Sequence, residues 1–227
     1  MRGLRQGQDR LDRDATRRDP GDAHLSHLLV TAGPTREAID PVRYMSNRSS
    51  GAMGMALCTA ALARGHTVTL VLGPVQLQPP EGVEVIPVES AVQMHEAVLR
   101  RLPGADVVLC VAAVSDYRVA EPSKRKLKRG TPPTLQLVEN PDIAADVGAR
   151  KGDRTLVIYA LESDNAIENA RAKLERKNAD FCVVNGPETI GAPGALFHIL
   201  KRDGSVLWTD KATKEVLAGV LMDELAL

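Results

Sequence analysis

The sequence contains few aromatic residues and no long hydrophobic run. Aromatic residues make up 3% of the 227 residues, whereas 44% are hydrophobic. A core must therefore be built mainly from Val, Leu, Ile and Ala, as in sheets that helices cover on both faces. No apolar stretch approaches the roughly twenty residues of a membrane span, and no signal-peptide core stands at the amino terminus. These absences predict a soluble, cytoplasmic protein.

Neither sign of charge dominates, because Lys plus Arg and Asp plus Glu each number 29. General attraction to nucleic acid is not expected, and any anion site must come from a local cluster of cations. The three cysteines, Cys58, Cys110 and Cys182, lie far apart in apolar runs and show no metal-ligand spacing. We interpret them as buried structural thiols of a reducing compartment.

The first 26 residues alternate Arg and Asp with Gly and hold almost no large apolar side chains. Such a segment buries too little apolar surface to offset its ordering entropy, so we predict a disordered charged tail over 1–26. No internal repeat follows, and the remaining length fits one large domain. We therefore predict a single domain over 27–227.

From Leu28 onwards, short apolar runs alternate with helix-length amphipathic segments. This rhythm predicts an α/β fold with a mostly parallel sheet and helices on both faces. The predicted strands are 28–31, 67–72, 83–88, 106–112, 134–138, 155–160 and 179–185, followed by a hairpin of 195–201 and 206–208. The predicted helices are 51–64, 91–101, 141–148, 165–177 and 211–225. The rhythm breaks over 116–133, which indicates an irregular inserted loop.

The segment between the first strand and the first helix organises the chain. It reads TAGPTREAIDPVRYMSNRSSG, and it is much longer than an ordinary connection between a strand and a helix. Long segments of this kind are usually functional or disordered. It starts at the carboxyl end of a strand, where open α/β sheets bind ligands. Its many hydroxyl, amide and guanidinium donors predict a site for an anion.

Two parts of this segment are candidate functional groups. Ser49, Ser50 and Gly51 stand at the predicted helix start, where free amides and hydroxyls bind anions, although Ser residues also cap ordinary helices. Asn47 offers a neutral amide that suits acyl-transfer chemistry, although Asn is also common in turns. The segment holds neither a Walker A loop nor the G-x-G-x-x-G fingerprint.

Three further features carry charge. Asp116 follows the fourth strand, so its carboxylate is suited to Mg²⁺, a ribose hydroxyl or a base amine, unless it is a cap or turn residue. The basic run 124–129 either closes over phosphates or forms a solvated loop. Lys173 and Lys177 share one helix face, as an anion-binding patch or as a solvated surface.

Together these stretches resemble the phosphopantothenoylcysteine synthetase family, whose bacterial members usually follow a flavin-dependent decarboxylase in one chain. The matching stretches are TAGPTREAIDPVRYMSNRSSGAMG at 31–54, AAVSDYR at 112–118, KLKR at 126–129, ENPDI at 139–143 and KLERKNAD at 173–180. The resemblance implies a Rossmann-like fold, a homodimer and a ligase that joins 4′-phosphopantothenate to L-cysteine in coenzyme A biosynthesis. It implies CTP with Mg²⁺, with ATP as the alternative nucleotide, and no flavin.

The resemblance also assigns roles to residues. Asn47 is implied in the conversion of an acyl-nucleotide intermediate, and Lys126 in its formation. Implied nucleotide contacts are Cys110, Val111, Ala112, Asp116, Lys126, Glu139, Asn140, Pro141, Tyr159, Lys173 and Lys177. Weaker implied contacts to substrate or phosphate are Arg43, Ser49, Ser50 and Gly51. No metal ligand is assigned.

The sequence departs from the family pattern at several positions. Ala52 and Arg129 stand where Lys is usual, Tyr159 replaces Phe, and Gly186 replaces Asp. These changes bear on substrate or nucleotide preference rather than on the class of reaction. The decarboxylase part does not occur in this sequence, so we expect it as a separate chain and a candidate partner.

Two other classes of protein remain as alternatives. A nicotinamide oxidoreductase needs a glycine fingerprint and an acidic residue after the second strand, where Gly73 and Pro74 stand instead. A bound nicotinamide would favour it. A non-catalytic scaffold would not need Asn47, Asp116 and Lys126 together. We expect no nucleic-acid or membrane partner.

Overall fold

The computed structural model describes residues 25–130, 134–189, 192 and 194–227. The strands are β1 (His27–Ala32), β2 (Arg36–Ala38), β3 (Tyr44–Ser46), β4 (Thr67–Leu72), β5 (Glu84–Pro87), β6 (Val107–Cys110), β7 (Tyr117–Val119), β8 (Leu137–Glu139), β9 (Thr155–Leu161), β10 (Phe181–Asn185), β11 (Gly194–Lys201) and β12 (Val206–Thr213). The helices are α1 (Ala52–Ala63), α2 (Ala91–Arg101), α3 (Ile143–Arg150), α4 (Ala166–Arg176) and α5 (Lys214–Glu224).

The main sheet has the strand order β5-β4-β1-β6-β9-β10-β11-β12. The strands from β5 to β10 are parallel, and β11 and β12 add an antiparallel hairpin at the edge. The chain leaves β1 towards β4 and β5 and then crosses back to β6, which is the doubly wound order with its switch point between β1 and β6. The Rossmann-like α/β fold expected from the sequence is confirmed.

Two apolar layers cover the sheet. Val30 and Leu57 belong to the layer that α1 and α5 close, whereas Leu29, Val98 and Leu174 belong to the layer beneath α2, α3 and α4. All five side chains are essentially inaccessible to solvent. Burial of both faces explains why the central strands read as continuous apolar runs. It also fixes the strand ends that surround the site.

The long segment after β1 and the insertion after β6 each contain a two-stranded antiparallel ribbon. The first ribbon pairs β2 with β3, and the second pairs β7 with β8. For these two segments the sequence predicted loops, apart from a strand over 134–138. The structure instead has three-residue strands, and the strand in the second segment is 137–139. Strands of this length are too short for an alternating pattern to show in the sequence.

Two predicted helix starts are wrong. Pro141 was predicted as the first residue of α3, but the helix begins at Ile143 because the Asp142 carboxylate accepts a hydrogen bond from the Ala145 amide at 3.1 Å. The last helix was predicted to start at residue 211. The strand β12 instead continues through Thr213, whose hydroxyl caps α5 by accepting from the Val216 amide at 3.3 Å. In both cases the capping side chain sets the boundary.

Residues 1–24 of the predicted charged tail lie outside the described residues. Ser26, which the sequence assigned to that tail, is buried, and its carbonyl accepts a hydrogen bond from the Thr67 amide at 3.2 Å. Among the residues that the structure describes, no helix has the length and apolar character needed to cross a membrane.

Candidate active site

A cavity of about 980 Å³ opens at the carboxyl ends of β1, β6 and β9. Its volume is typical of small-molecule and cofactor sites, which measure about 300–1,000 Å³. The predicted site residues that line it are Asn47, Ser49, Ser50, Gly51, Cys110, Val111, Ala112, Asp116, Glu139, Asn140, Pro141, Tyr159, Lys173 and Lys177. Arg43 and Lys126 are not among the lining residues. The topology therefore brings most of the predicted site to one place.

Thr31 closes the floor of this cavity. Its hydroxyl oxygen accepts hydrogen bonds from the amides of Val111 and Ala112, both at 3.1 Å. The Ala113 amide then donates to the carbonyl of Gly33 at 2.9 Å. The ends of β1 and β6 are thus joined beyond their regular pairing. Thr31 was not among the predicted site residues, because its hydroxyl contacts depend on how β1 and β6 pair and leave no local signal in the sequence.

The start of α1 faces the cavity with little capping. Gly51 adopts a left-handed conformation with φ of 79°, and no side chain caps the helix. The Ser50 hydroxyl is 3.4 Å from the Ala52 amide, a long contact. Among the described residues, the amides of Met53 and Gly54 have no acceptor, so they remain available to a ligand. Together with the helix dipole, this arrangement suits an anion such as phosphate.

A close helix–strand approach places this helix end. A Cβ atom added at Gly54 would lie 2.3 Å from the Cβ of Ala32, so no larger residue fits between α1 and β1 without movement. Glycine therefore permits α1 to lie directly against the strand that ends in the cavity.

Asn47 follows the last strand of the first ribbon and is exposed. Its side-chain amide donates a hydrogen bond to the carbonyl of Ala113 at 2.8 Å. The preceding residue, Ser46, donates from its hydroxyl to the Thr35 carbonyl at 2.7 Å. The ribbon thus orients Asn47 towards the end of β6. One amide hydrogen and the amide oxygen remain for a ligand, because an Asn side chain has two donors and one acceptor oxygen.

Lys173 and Lys177 lie on the cavity wall. The sequence left open whether this helix face meets the site or only solvent. Lys173 pairs with Glu162, and the Lys177 ammonium lies 3.2 Å from the Asp142 carboxylate. Burial acts to raise the pKa of Glu162, but hydrogen bonds from Lys173 and Asn169 lower that pKa overall. Each lysine is held by one carboxylate, and a bound anion would share these cations.

Tyr159 and Cys110 bring buried neutral groups to the cavity. The Tyr159 hydroxyl is buried without a hydrogen-bond partner among the described residues. Burial raises the pKa of this phenol, so it stays protonated. Burial also raises the pKa of the Cys110 thiol to about 12. A thiol of this kind is a poor nucleophile at neutral pH, and we assign it no covalent role.

Asn140 holds the backbone in place at the acidic edge of the cavity. Its backbone amide donates to the Asp116 carbonyl and its side-chain amide to the Ser115 carbonyl, both at 2.8 Å. The carboxylates of Asp116 and Glu139 are exposed at this edge. Within the described residues, no cluster of three or more His, Cys, Asp or Glu side chains could hold a metal ion on its own.

Arg43 and Lys126, the two predicted site residues that do not line the cavity, are connected through Leu127. Arg43 forms an ion pair with Asp40, and its guanidinium also donates to the Leu127 carbonyl at 3.1 Å. Lys126 immediately precedes Leu127 and is exposed. The structure thus connects the first ribbon to the basic run.

Comparisons with known proteins show the family to which the chain is similar. A family model described as DNA/pantothenate metabolism flavoprotein C-terminal domain matches residues 24–227. The coenzyme A biosynthesis bifunctional protein CoaBC of Escherichia coli is 41% identical over 213 residues, which cover 88% of this chain and 52% of that protein. Its counterpart in Vibrio cholerae is 45% identical over 168 residues, which cover 72% of this chain and 42% of that protein. The chain spans about half the length of the curated relatives it matches.

A solved structure is also similar. The crystal structure of the C-terminal domain of coenzyme A biosynthesis bifunctional protein CoaBC superposes with a TM-score of 0.77. The two chains are 37% identical, and the match covers 88% of this chain and 93% of that one.

Proposed function

The chain belongs to the family of the DNA/pantothenate metabolism flavoprotein C-terminal domain, and on this basis we propose that it is a phosphopantothenate–cysteine ligase of coenzyme A biosynthesis. The relatives that it matches are bifunctional coenzyme A biosynthesis proteins. The observation that carries the proposal is that Asn47, the open start of α1, and Lys173 and Lys177 all line one cavity. An acyl-nucleotide needs this combination of a neutral amide and anion-binding groups.

The proposed chemistry has two steps. A carboxylate oxygen of 4′-phosphopantothenate attacks the α-phosphorus of CTP, forms an acyl-cytidylate and expels pyrophosphate. The amine of L-cysteine then attacks the acyl carbon, the bond to CMP breaks, and the amine gives up a proton as the amide forms. Activation is needed because a carboxylate is a poor electrophile.

We assign the residues of this chain to these steps. Lys126 stabilises the phosphate charge while the acyl-cytidylate forms, and Asn47 donates to the acyl oxygen while the amine attacks. The start of α1 binds a phosphate group, and Lys173 and Lys177 bind the nucleotide along with the backbone at 110–112 and 139–141. Ser49, Ser50 and Arg43 are weaker candidates for substrate contacts.

Mg²⁺ with CTP fits the donor groups that line the cavity. Mg²⁺ usually binds through one or two carboxylates together with the phosphates of a substrate, not through a complete protein cage. Asp116 and Glu139 provide two such carboxylates at the cavity edge. The ion would neutralise phosphate charge. ATP is the alternative nucleotide, and the proposed reaction needs no flavin.

The proposal extends to assembly and location. We expect a homodimer and a decarboxylase that acts on the product, in the cytoplasm. The free thiols of Cys58, Cys110 and Cys182 are compatible with a reducing compartment.

Release of pyrophosphate tests the proposed function directly. The purified protein is incubated with 4′-phosphopantothenate, L-cysteine and Mg²⁺, with CTP and ATP in parallel. We expect release with CTP that depends on phosphopantothenate. Release with ATP alone would keep the ligase and overturn the choice of nucleotide, whereas no release from folded protein with either nucleotide would overturn the ligase.

A pair of lysine variants of equal charge checks the assignment of Lys126. Lys126→Ala should lower pyrophosphate release roughly 100-fold, the usual cost of removing one donor that stabilises developing charge. Lys124→Ala removes another exposed cation two positions away and should change the rate less than about twofold. Equal effects from both substitutions would indicate that the basic run acts only through its general charge.

A further inference from the structure

Asp40 lies at the turn of the first ribbon and is buried, although it is charged. The residue is 4% exposed, and its side chain is fully shielded while that of its partner Arg43 is 48% exposed. A charge in such a place is costly unless it is paired and fully hydrogen-bonded. The contacts of Asp40 therefore show what the turn is built to hold.

Two sets of donors surround the Asp40 carboxylate. Within the turn, Oδ1 accepts from the amides of Val42 at 2.8 Å and Arg43 at 2.9 Å, and Oδ2 accepts from the Arg43 guanidinium. Outside the ribbon, Oδ2 also accepts from the Leu127 amide at 3.1 Å. The second contact joins residues 87 positions apart. One carboxylate thus fixes the turn and the basic run together.

The basic run is attached to the ribbon at two points. The Ser123 amide donates to the Ile39 carbonyl at 2.9 Å, and Leu127 is held by Asp40 and by Arg43. Between these anchors, the Ser123 hydroxyl donates to the Arg125 carbonyl at 2.6 Å. Lys124 to Lys126 therefore form a short exposed arch instead of a free loop. We call residues 123–127 the basic arch.

We propose that Asp40 is a positioning residue that holds Lys126 of the basic arch in a fixed relation to Asn47. The ribbon whose turn contains Asp40 ends directly before Asn47, and the same carboxylate binds the residue after Lys126. The two groups assigned to successive steps are thereby attached to one small element. This inference rests on the proposed function for its catalytic meaning, but the attachment can be tested without any activity.

The charge state of Asp40 supports this role. The hydrogen bond from the Arg43 side chain, followed by those from the Val42, Leu127 and Arg43 amides, lowers the pKa of Asp40 well below its usual range. The group is therefore a carboxylate under all assay conditions. An Asn in its place would keep the shape but lose the charge and part of its acceptor capacity.

Limited trypsin digestion measures the attachment, because the basic run offers several Lys and Arg cleavage sites. Asp40→Asn should speed cleavage within 124–129 at least about tenfold, since local opening of the arch exposes it to the protease. Cleavage elsewhere and the melting temperature should change little. The matched control is Glu37→Gln, which alters a buried carboxylate of the same ribbon that binds the Ala91 amide and not the basic arch.

Kinetics then test the catalytic meaning. Asp40→Asn should lower kcat for pyrophosphate release roughly 100-fold, the cost of displacing a reacting group by about an ångström. In a Lys126→Ala background, the same substitution should cost less than about twofold, because two residues that act through one group are not additive. Full additivity of the two substitutions would overturn the positioning role.

The outcomes separate this inference from the proposed function. Unchanged cleavage of the basic run in folded Asp40→Asn would overturn the attachment. Accelerated cleavage in a protein whose wild type releases no pyrophosphate would support the attachment and overturn the ligase. If Asp40→Asn melts below the assay temperature, the same digestion is done with Arg43→Lys. A lysine cannot bind Asp40 and the Leu127 carbonyl in the fork geometry of arginine. Unchanged cleavage in Arg43→Lys would overturn the attachment.

Discussion

At the scale of single residues, Asn47 shows how an exposed polar side chain is oriented by the backbone. Its contact with the Ala113 carbonyl crosses from the first ribbon to the end of β6. An exposed amide fixed in this way loses little entropy when a ligand binds, which suits the role proposed for Asn47 at a short-lived intermediate.

Asn47→Ala should separate the two proposed steps. Without its amide donor we expect amide formation to slow by about 10²–10³-fold, while pyrophosphate release in the first turnover continues. The acyl-nucleotide should therefore accumulate and be detected by mass spectrometry of quenched reactions. Normal production of the amide by this variant would contradict the assigned role.

Tyr159 is the other informative residue, because its buried hydroxyl has no partner among the described residues. Replacing an unsatisfied buried group by an apolar group of the same shape is neutral or stabilising. Tyr159→Phe should therefore raise the free energy of unfolding by about 1 kcal/mol, or the melting temperature by about 2–4 °C. Tyr117→Phe is the matched control, because Tyr117 is exposed and its loss should change neither value. A loss of stability in Tyr159→Phe would show that the hydroxyl has a partner in solution.

At the scale of elements, the sequence predicted the sheet well and the ribbons poorly. The strand β4 and the helix α2 were predicted with their observed bounds, because a continuous apolar run and an amphipathic period are local signals. The ribbons depend on contacts between distant segments, such as that of Ser115 with Thr35. No local pattern carries such information.

The helix α1 provides a test of the close packing that places the amides proposed to bind phosphate. Gly54→Ala should destabilise the fold by about 1–3 kcal/mol, because the new methyl group would overlap Ala32 and force α1 away from β1. Gly219→Ala is the control within a helix. Its added Cβ meets no atom within 4 Å, so helix propensity should stabilise the protein by about 1 kcal/mol.

Chemical denaturation of both glycine variants measures these values. Equal effects of the two substitutions would contradict the close approach of α1 to β1. A loss of nucleotide binding by Gly54→Ala at temperatures where it remains folded would further connect the packing to the cavity.

At the scale of the whole molecule, the candidate site follows from strand order. Motifs at 31–54 and 110–118 follow β1 and β6, whose carboxyl ends lie side by side, whereas 139–143 and 173–177 reach the cavity from the end of β8 and the end of α4. The sequence left the position of Lys173 and Lys177 open, but strand ends could be read from it, so the grouping of the first two motifs was predictable. The role of Thr31 was not, because its hydroxyl bonds depend on the register between β1 and β6.

Cys58 and Cys182 are buried and Cys110 is partly buried, and these three cysteines predict how stability changes in alkali. Burial raises the pKa of Cys58, Cys110 and Cys182 to about 12 each, while thiols in an unfolded chain titrate near 8.5. Because the folded pKa is raised, the stabilisation is complete below about pH 8.5 and is lost as the pH rises towards 12. In that range each thiol lowers the free energy of unfolding by up to about 1.4 kcal/mol per pH unit.

Urea unfolding between pH 7 and 11 measures this slope. The double variant Cys58→Ala, Cys182→Ala isolates the thiols from other groups that titrate in the same range. Its free energy of unfolding should fall less steeply with pH than that of the wild type, whatever the offset at neutral pH. Parallel curves would mean that these thiols ionise in the folded protein as they do in the unfolded chain.

The join between β1 and β6 at Thr31 also has a consequence for the order of folding. Thr31 and Val111 lie 80 positions apart, whereas His198 and Thr209 of the edge hairpin are 11 apart. Closing the longer loop costs about 2 kcal/mol more in chain entropy, from the logarithmic dependence on loop length. Contacts of long range also form slowly. We therefore expect a refolding chain to protect the amides of the β11–β12 hairpin from hydrogen exchange before it protects those that join β1 to β6.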